Sequence, residues 1–279
     1  MKFQKRIKKL IEEKGFLIAT HRGLWGGNII QNTKESAILA HSSGSDIVEI
    51  DVCKTKDNEY FLFHDGHEEE LLHRNISFSE MTSNEILKSA AYNSIGQSSG
   101  YKINRLDEFL SWLPVDILVN LDRCWEYFND TEFWDVLKKS EKMEQVFVKS
   151  PVNSSVLENL VHFGSNIPYM AIIKEEKDYE LVTQYKNSIN LIGVEVVFTD
   201  KDSSQLNNKY LKPLREQNEL IMFNSINLGE EHNLSAMIVD DDAILNDGSQ
   251  WYTLLKMGAN VIQTDWPHFC SDFRRRLNE

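Results

Sequence analysis

The sequence predicts an α/β chain folded as one (β/α)8 TIM barrel, with an antiparallel hairpin arm after the second strand. Three observations carry that prediction. Nine short, β-branched-rich apolar runs recur along the 279 residues. Most are separated by helical patterns, which means parallel strands joined by crossovers. One gap, CKTKDN at 53–58, is too short for a crossover, so its flanking runs pair as a hairpin. Setting the hairpin's return arm aside leaves eight strands, and eight β-α units in about 250 residues suit a closed barrel. A doubly wound open sheet is the alternative. It calls for GxGxxG after an early strand, and HRGLWGG (21–27) lacks that spacing.

In chain order, Phe3, Ile7, Leu10 and Ile11 fall at helical spacing among lysines and glutamates. They predict a short helix packed on the fold, with a membrane-surface helix as the alternative. The strands follow as FLIAT (16–20), DIVEIDV (46–52), EYFLFH (59–64), DILVNLD (116–122), QVFVK (145–149), YMAIIK (169–174), LIGVEVVF (191–198), ELIMFN (219–224) and ANVIQT (259–264). Helical patterns cover 32–43, 105–113, 130–140, 154–163, 177–187 and 249–258. Residues 65–104 and 227–248 exceed what loops need, the first carrying a short helical signal at 83–91. Asp240, Asp241 and Asp242 do not alternate as calcium-loop ligands do, so a solvated acidic turn is expected. No repeat or linker divides residues 1–279, which form a single domain.

Thirty Lys and Arg against 43 Asp and Glu give a net charge of −13. Nucleic acid and anionic membranes repel such a chain at long range. Three scattered cysteines (Cys53, Cys124, Cys270) form neither a disulfide framework nor a CxxC zinc pair. No run reaches the roughly 18 apolar residues of a membrane span. The basic N-terminus lacks a signal peptide's apolar region, so a cytoplasmic location is expected.

The chemistry gathers at strand ends, where barrel active sites lie. The first strand ends in Thr20-His21-Arg22-Gly23. In the second, Glu49 and Asp51 share one face while Val48, Ile50 and Val52 share the other. The apolar face suits helix packing, which points both carboxylates into the barrel mouth. Adjacent buried carboxylates repel unless a cation lies between them or one is protonated, and coordination of a hard divalent cation is the natural solution. Asn120 and Asp122 share the corresponding face of the next barrel strand. A turn at 55–58 places His64 opposite Glu49, beside the same carboxylates.

These residues resemble the glycerophosphodiester phosphodiesterases of the PLC-like phosphodiesterase superfamily. That family's HRG, ENT, E-x-D, T-K-D-G and H-D run is matched by His21-Arg22-Gly23, Gln31-Asn32-Thr33, Glu49-Ile50-Asp51, Thr55-Lys56-Asp57-Asn58 and His64-Asp65. Arg74, INRLDEFL (103–110) and GANVIQTDWP (258–267) match later motifs. The resemblance covers nearly the whole chain, most strongly 17–122 and 250–267. It implies a role in lipid metabolism, a Ca²⁺ or Mg²⁺ ion, and hydrolysis of a small glycerophosphodiester to an alcohol and glycerol 3-phosphate. On it His21 and His64 are the acid/base pair, Glu49 and Asp51 are metal ligands with Asp122 as a third, and Arg22 contacts phosphate. A cyclising or phospholipase-like reaction and a non-catalytic phospho-ligand-binding barrel are the alternatives.

The departures fall at the pocket's edge. Where the family has E-x-K, this chain has Asp122 and Cys124, and a regular strand would put Cys124 inward and Arg123 outward. Arg22, or Lys149 at the next strand's end, is the candidate substitute for the missing cation. Trp25 and Trp266, on the rim, are expected to supply apolar contact with substrate.

Overall fold

The chain's structure, a computed structural model, describes residues 2–279. Helix α1 (Lys2–Lys14) leads into β1 (Leu17–Thr20), α2 (Lys34–Ser42), β2 (Ile47–Lys54) and β3 (Tyr60–Leu62). Helices α3 (Glu68–Leu72), α4 (Ser83–Lys88) and α5 (Leu106–Trp112) lead to β4 (Leu118–Asp122), α6 (Thr131–Lys139), β5 (Val146–Pro151) and α7 (Ser154–Phe163). Then come β6 (Pro168–Ile173), α8 (Glu176–Tyr185), β7 (Asn190–Val196), α9 (Asn208–Glu216) and β8 (Leu220–Asn224). Helices α10 (Asp240–Leu245) and α11 (Ser249–Met257), strand β9 (Val261–Thr264) and helix α12 (Pro267–Asn278) complete the fold.

Eight parallel strands close into a barrel. The order β1-β9-β8-β7-β6-β5-β4-β2 is sealed by β1 pairing with β2. Strand β3 lies outside the barrel, antiparallel on β2. All nine expected strands form. The hairpin register pairs Val52 with Leu62 and Lys54 with Tyr60. Continued two residues beyond β3, that register sets His64 opposite Ile50, one place from the expected Glu49.

Alternation sorts the strand residues into two cores. Val48, Ile50, Val119, Leu121, Val146 and Val148 face outward into the layer under the helices. Leu17, Ile47, Leu118, Phe147, Met170 and Val261 face the barrel axis at the strand starts. Helix α1 closes that end, because Phe3, Ile7 and Ile11 join the same cluster and Phe3 meets Phe147 edge to face. The amphipathic N-terminus is thus a barrel plug. Burying its apolar stripe contributes about 1.5–3 kcal/mol for each large side chain. A third cluster, built on Phe61, Phe63, Leu71, Phe78 and Ile86, holds the long segment after β2 beside the barrel's upper rim. Among the described residues, no helix is long and apolar enough to cross a membrane.

Asp240 departs from the solvated turn expected of it. It opens α10 and is 1% exposed. Its carboxylate accepts hydrogen bonds from Ser225 Oγ, Trp251 Nε1, Thr264 Oγ1 and the Asp265 amide. Asp241 and Asp242 remain exposed, as expected.

Candidate active site

Strand register builds the acidic centre. Parallel pairing sets Glu49 beside Asn120 and Asp51 beside Asp122, so inward alternation brings three carboxylates to one spot. One oxygen from each of Glu49, Asp51 and Asp122 lies within 4.8 Å of the others. Burial, then the neighbouring Asp51 and Asp122, push the Glu49 carboxyl well above its ordinary range. Glu49 Oε1 is buried with no hydrogen-bond partner. An orphaned carboxylate oxygen among like charges is the environment that a hard cation satisfies. The residues present therefore fit a divalent metal.

The segment after β1 braces this centre. Arg22 adopts φ 55°, and its amide donates to Glu49 Oε2 at 2.7 Å. Gly23 follows at φ 71°, where an added Cβ would lie 2.4 Å from Ser36 Oγ. Only glycine fits that left-handed turn against the start of α2. Asn32 clamps β2 twice, donating to Asp51 Oδ2 at 3.0 Å and accepting from the Asp51 amide at 2.9 Å. Thr33 then caps α2 in a reciprocal box with Ser36.

Arg22 is held from several sides. Its Nη1 donates to Gln31 Oε1 at 2.7 Å and meets His67 Nε2 at 2.9 Å, while Nε lies 3.3 Å from Asp51 Oδ2. A guanidinium only donates, so His67 Nε2 accepts, and its Nδ1–H faces Glu70 Oε2 at 2.8 Å. His67 escaped the sequence reading because it has no partner nearby in the chain except Glu70.

Both predicted histidines line one open cavity of about 330 Å³ with Arg22, Asp51, Asp122 and Lys149. His21 Nδ1 lies 3.0 Å from Asp265 Oδ1, across 244 residues of sequence. The carboxylate fixes the ring and leaves Nε2 for chemistry. His64 Nδ1 faces the Asp65 carbonyl oxygen at 2.6 Å. A carbonyl only accepts, so His64 carries its proton on Nδ1 and Nε2 holds a lone pair. Burial lowers the His64 pKa, the Asp51 charge works against that, and Arg22 adds to it. The arrangement sets two imidazoles around a carboxylate cluster able to hold a cation, which is a setting for proton transfer.

Lys149 reaches the site in an unexpected state. It is 2% exposed, with Nζ 2.9 Å from Asp122 Oδ2 and 2.8 Å from Glu195 Oε2. Burial opposes its charge, but Asp122, Glu195 and Glu49 outweigh burial and raise its pKa. Glu195 in turn accepts from Asn224 Nδ2 at 2.8 Å. Asn224 and Gln263, at matching levels of β8 and β9, carry this polar layer round the barrel. The sequence reading passed over Glu195 and gave Gln263 no role, although each sits at an inward position of an apolar strand.

Two expectations, both about the turn after Asp122, are corrected. Cys124 does not face the barrel: it is fully buried under the helices, its thiol 3.5 Å from the Leu121 carbonyl oxygen. Arg123 takes φ 54°, which breaks strand alternation after Asp122 and turns the arginine, not residue 124, to the cavity. Trp25 and Trp266 are about two-fifths exposed and neither lines the cavity. Trp266 packs instead beside His268 and Phe269 at the start of α12.

A family profile described only as a domain of unknown function (DUF4996) matches residues 169–273. No curated protein matches the chain. Among solved structures, a glycerophosphoryl diester phosphodiesterase from Parabacteroides distasonis is similar with a TM-score of 0.71 at 18% identity, over 97% of this chain and 92% of its own. A glycerophosphodiester phosphodiesterase from Agrobacterium tumefaciens is similar at 0.63 and 18%, over 92% and 99%. An Oleispira antarctica phosphodiesterase, solved with its product sn-glycerol-3-phosphate, is similar at 0.63 and 15%, over 94% and 97%. At these identities the likeness establishes the shared barrel fold.

Proposed function

We propose that this protein is a metal-dependent phosphodiesterase that hydrolyses a glycerophosphodiester to an alcohol and glycerol 3-phosphate. The observation that carries the reading is that His21 and His64 line one cavity with Asp51 and Asp122, two carboxylates of the cluster that Glu49 completes. The fold shared with glycerophosphodiester phosphodiesterases, one of them solved with that product, supports the choice of substrate. Three unpaired thiols favour the cytoplasm, and the substrates would be small diesters from lipid turnover.

Glu49, Asp51 and Asp122 would hold Ca²⁺ or Mg²⁺, which when bound neutralises the phosphodiester anion. The chain's own residues do the rest. Arg22, fixed by Gln31, His67 and Asp51, supplies a rigid positive charge for a phosphate oxygen. His64, with a free Nε2 lone pair and a lowered pKa, takes the proton from the attacking water. His21, backed by Asp265, holds a proton on Nε2 for the leaving alkoxide.

A panel of phosphodiesters assayed with and without chelator tests the proposal. Turnover of a glycerophosphodiester that ceases on chelation and returns with Ca²⁺ or Mg²⁺ is expected. A cyclic phosphate as the final product would select the cyclising alternative. Full activity after exhaustive chelation would remove the metal.

A further inference from the structure

The candidate site is wider than the cavity that holds the histidines. A second cavity of about 120 Å³ adjoins it, lined by Ser77, Ser79, Glu126 and Tyr127. Arg123 and Trp125 line both cavities and so stand at their boundary, while Asp65 lines the smaller one. Arg123 gets there through its left-handed backbone, directly after the acidic centre. Its Nε and Nη2 donate to Asp65 Oδ1 at 2.8 and 2.7 Å.

Availability separates the cations of the larger cavity. Lys149 is buried and committed to two carboxylates. Arg22 spends Nη1 on Gln31 and His67 and sets Nε against Asp51. Lys174 lines the larger cavity only, at the end of β6. Arg123 has a side chain 37% exposed, and Asp65 is 54% exposed. A pair that open to water is worth little, so Arg123 exchanges Asp65 for a phosphate oxygen at small cost.

A phosphodiester differs from a monoester in having two ester arms that leave phosphorus in different directions. A site that reads the diester needs room on both sides of its anion. We propose that Arg123 contacts the substrate phosphate at the boundary of the two cavities, so that the diester lies across it with one alcohol in each. This rests on the phosphodiesterase reading and narrows it. The hydroxyls of Ser77, Ser79 and Tyr127 and the Glu126 carboxylate would receive a small alcohol bearing hydroxyl or amino groups, not a fatty chain.

Calorimetric binding of glycerol 3-phosphate and of inorganic phosphate in saturating Mg²⁺, with KM on a small polar diester, tests this. Arg123→Ala should weaken both anions by about 10- to 100-fold, and Arg123→Lys should recover most of the loss. Ser79→Trp, which fills the smaller cavity, should raise KM about tenfold or more while inorganic phosphate binds as in the wild type. Ser77→Trp repeats that arm if Ser79→Trp does not fold. Unchanged anion binding in Arg123→Ala, a loss found in Lys174→Ala instead, or unchanged KM in the tryptophan variants would overturn the proposal. A wild type that binds both anions through Arg123 but cleaves no diester would keep the Arg123 contact and refute the phosphodiesterase reading. A wild type that binds neither anion would refute both.

Discussion

Lys149 Nζ stands 2.9 Å from Asp122 Oδ2, so the third carboxylate of the acidic centre is shared with a buried lysine. The same ammonium holds Glu195 at 2.8 Å. Lys149 is thus the internal counter-charge of a barrel mouth that also contains Glu49 and Asp51. Lys149→Met should cost about 3–5 kcal/mol in denaturant unfolding, because Asp122 and Glu195 lose their buried partner. It should also enlarge the rise in Tm on adding Mg²⁺ relative to the wild type, since a divalent cation then relieves more repulsion. Equal Mg²⁺ shifts in both proteins would uncouple Lys149 from the acidic centre.

The two histidines divide by their partners. His21→Ala and His64→Ala should each lower kcat by about 10²- to 10⁴-fold, and the double variant should fall well short of additivity. Asp265→Asn should lower kcat with little change in KM, because Asp265 orients His21 without entering the cavity lining. A base with a lowered pKa stays neutral to more acidic pH. The acid limb of kcat/KM should therefore lie below the ordinary histidine value of about 6.5 and vanish in His64→Ala. A limb at or above that value would assign the ionisation to another group.

Cys124 supplies a test of the turn at Arg123. With its thiol sealed under the helices, Cys124→Lys would drive an ammonium into an apolar layer. The variant should lose roughly 2–5 kcal/mol of stability and gain nothing in kcat/KM on any glycerophosphodiester. A kinetic gain would show that residue 124 reaches the cavity and that the backbone runs differently after Asp122.

Asp240 ties stability to pH. Burial raises its pKa to about 6, against the hydrogen bonds from Ser225, the Asp265 amide, Trp251 and Thr264. The folded protein then binds this proton more tightly than the unfolded chain. The stabilisation is full below the unfolded carboxyl value of about 3.9 and is lost as pH rises through about 6, up to about 3 kcal/mol in all. Asp240→Asn should flatten the corresponding fall in urea stability between pH 4 and pH 7 (about three pH units, spanning both values). An identical pH slope in the variant would show that Asp240 ionises freely in the fold.

How much was legible follows from which interactions are local in sequence. All nine strands could be read because a strand shows in consecutive residues. The hairpin could be read because its loop is too short for anything else. The inward placing of Glu49, Asp51 and Asp122 followed from strand alternation, which holds as long as the backbone stays extended. It stops holding at Arg123, where one positive φ exchanges the places of Arg123 and Cys124. Nothing in an arginine codon's neighbours announces that turn.

By itself, then, the sequence determined the alternation of strands and helices, the hairpin, and the identities of the histidines and carboxylates at the strand ends. Only the tertiary structure decided their partners. Closure of β1 on β9 brings Asp265 to His21, curvature of the barrel brings Glu195 and Asp122 to one lysine, and α10 folding under the rim buries Asp240. Each of these pairings joins groups on different elements, and their electrostatics depend on depth and distance. Those quantities exist only once the barrel has closed and excluded water.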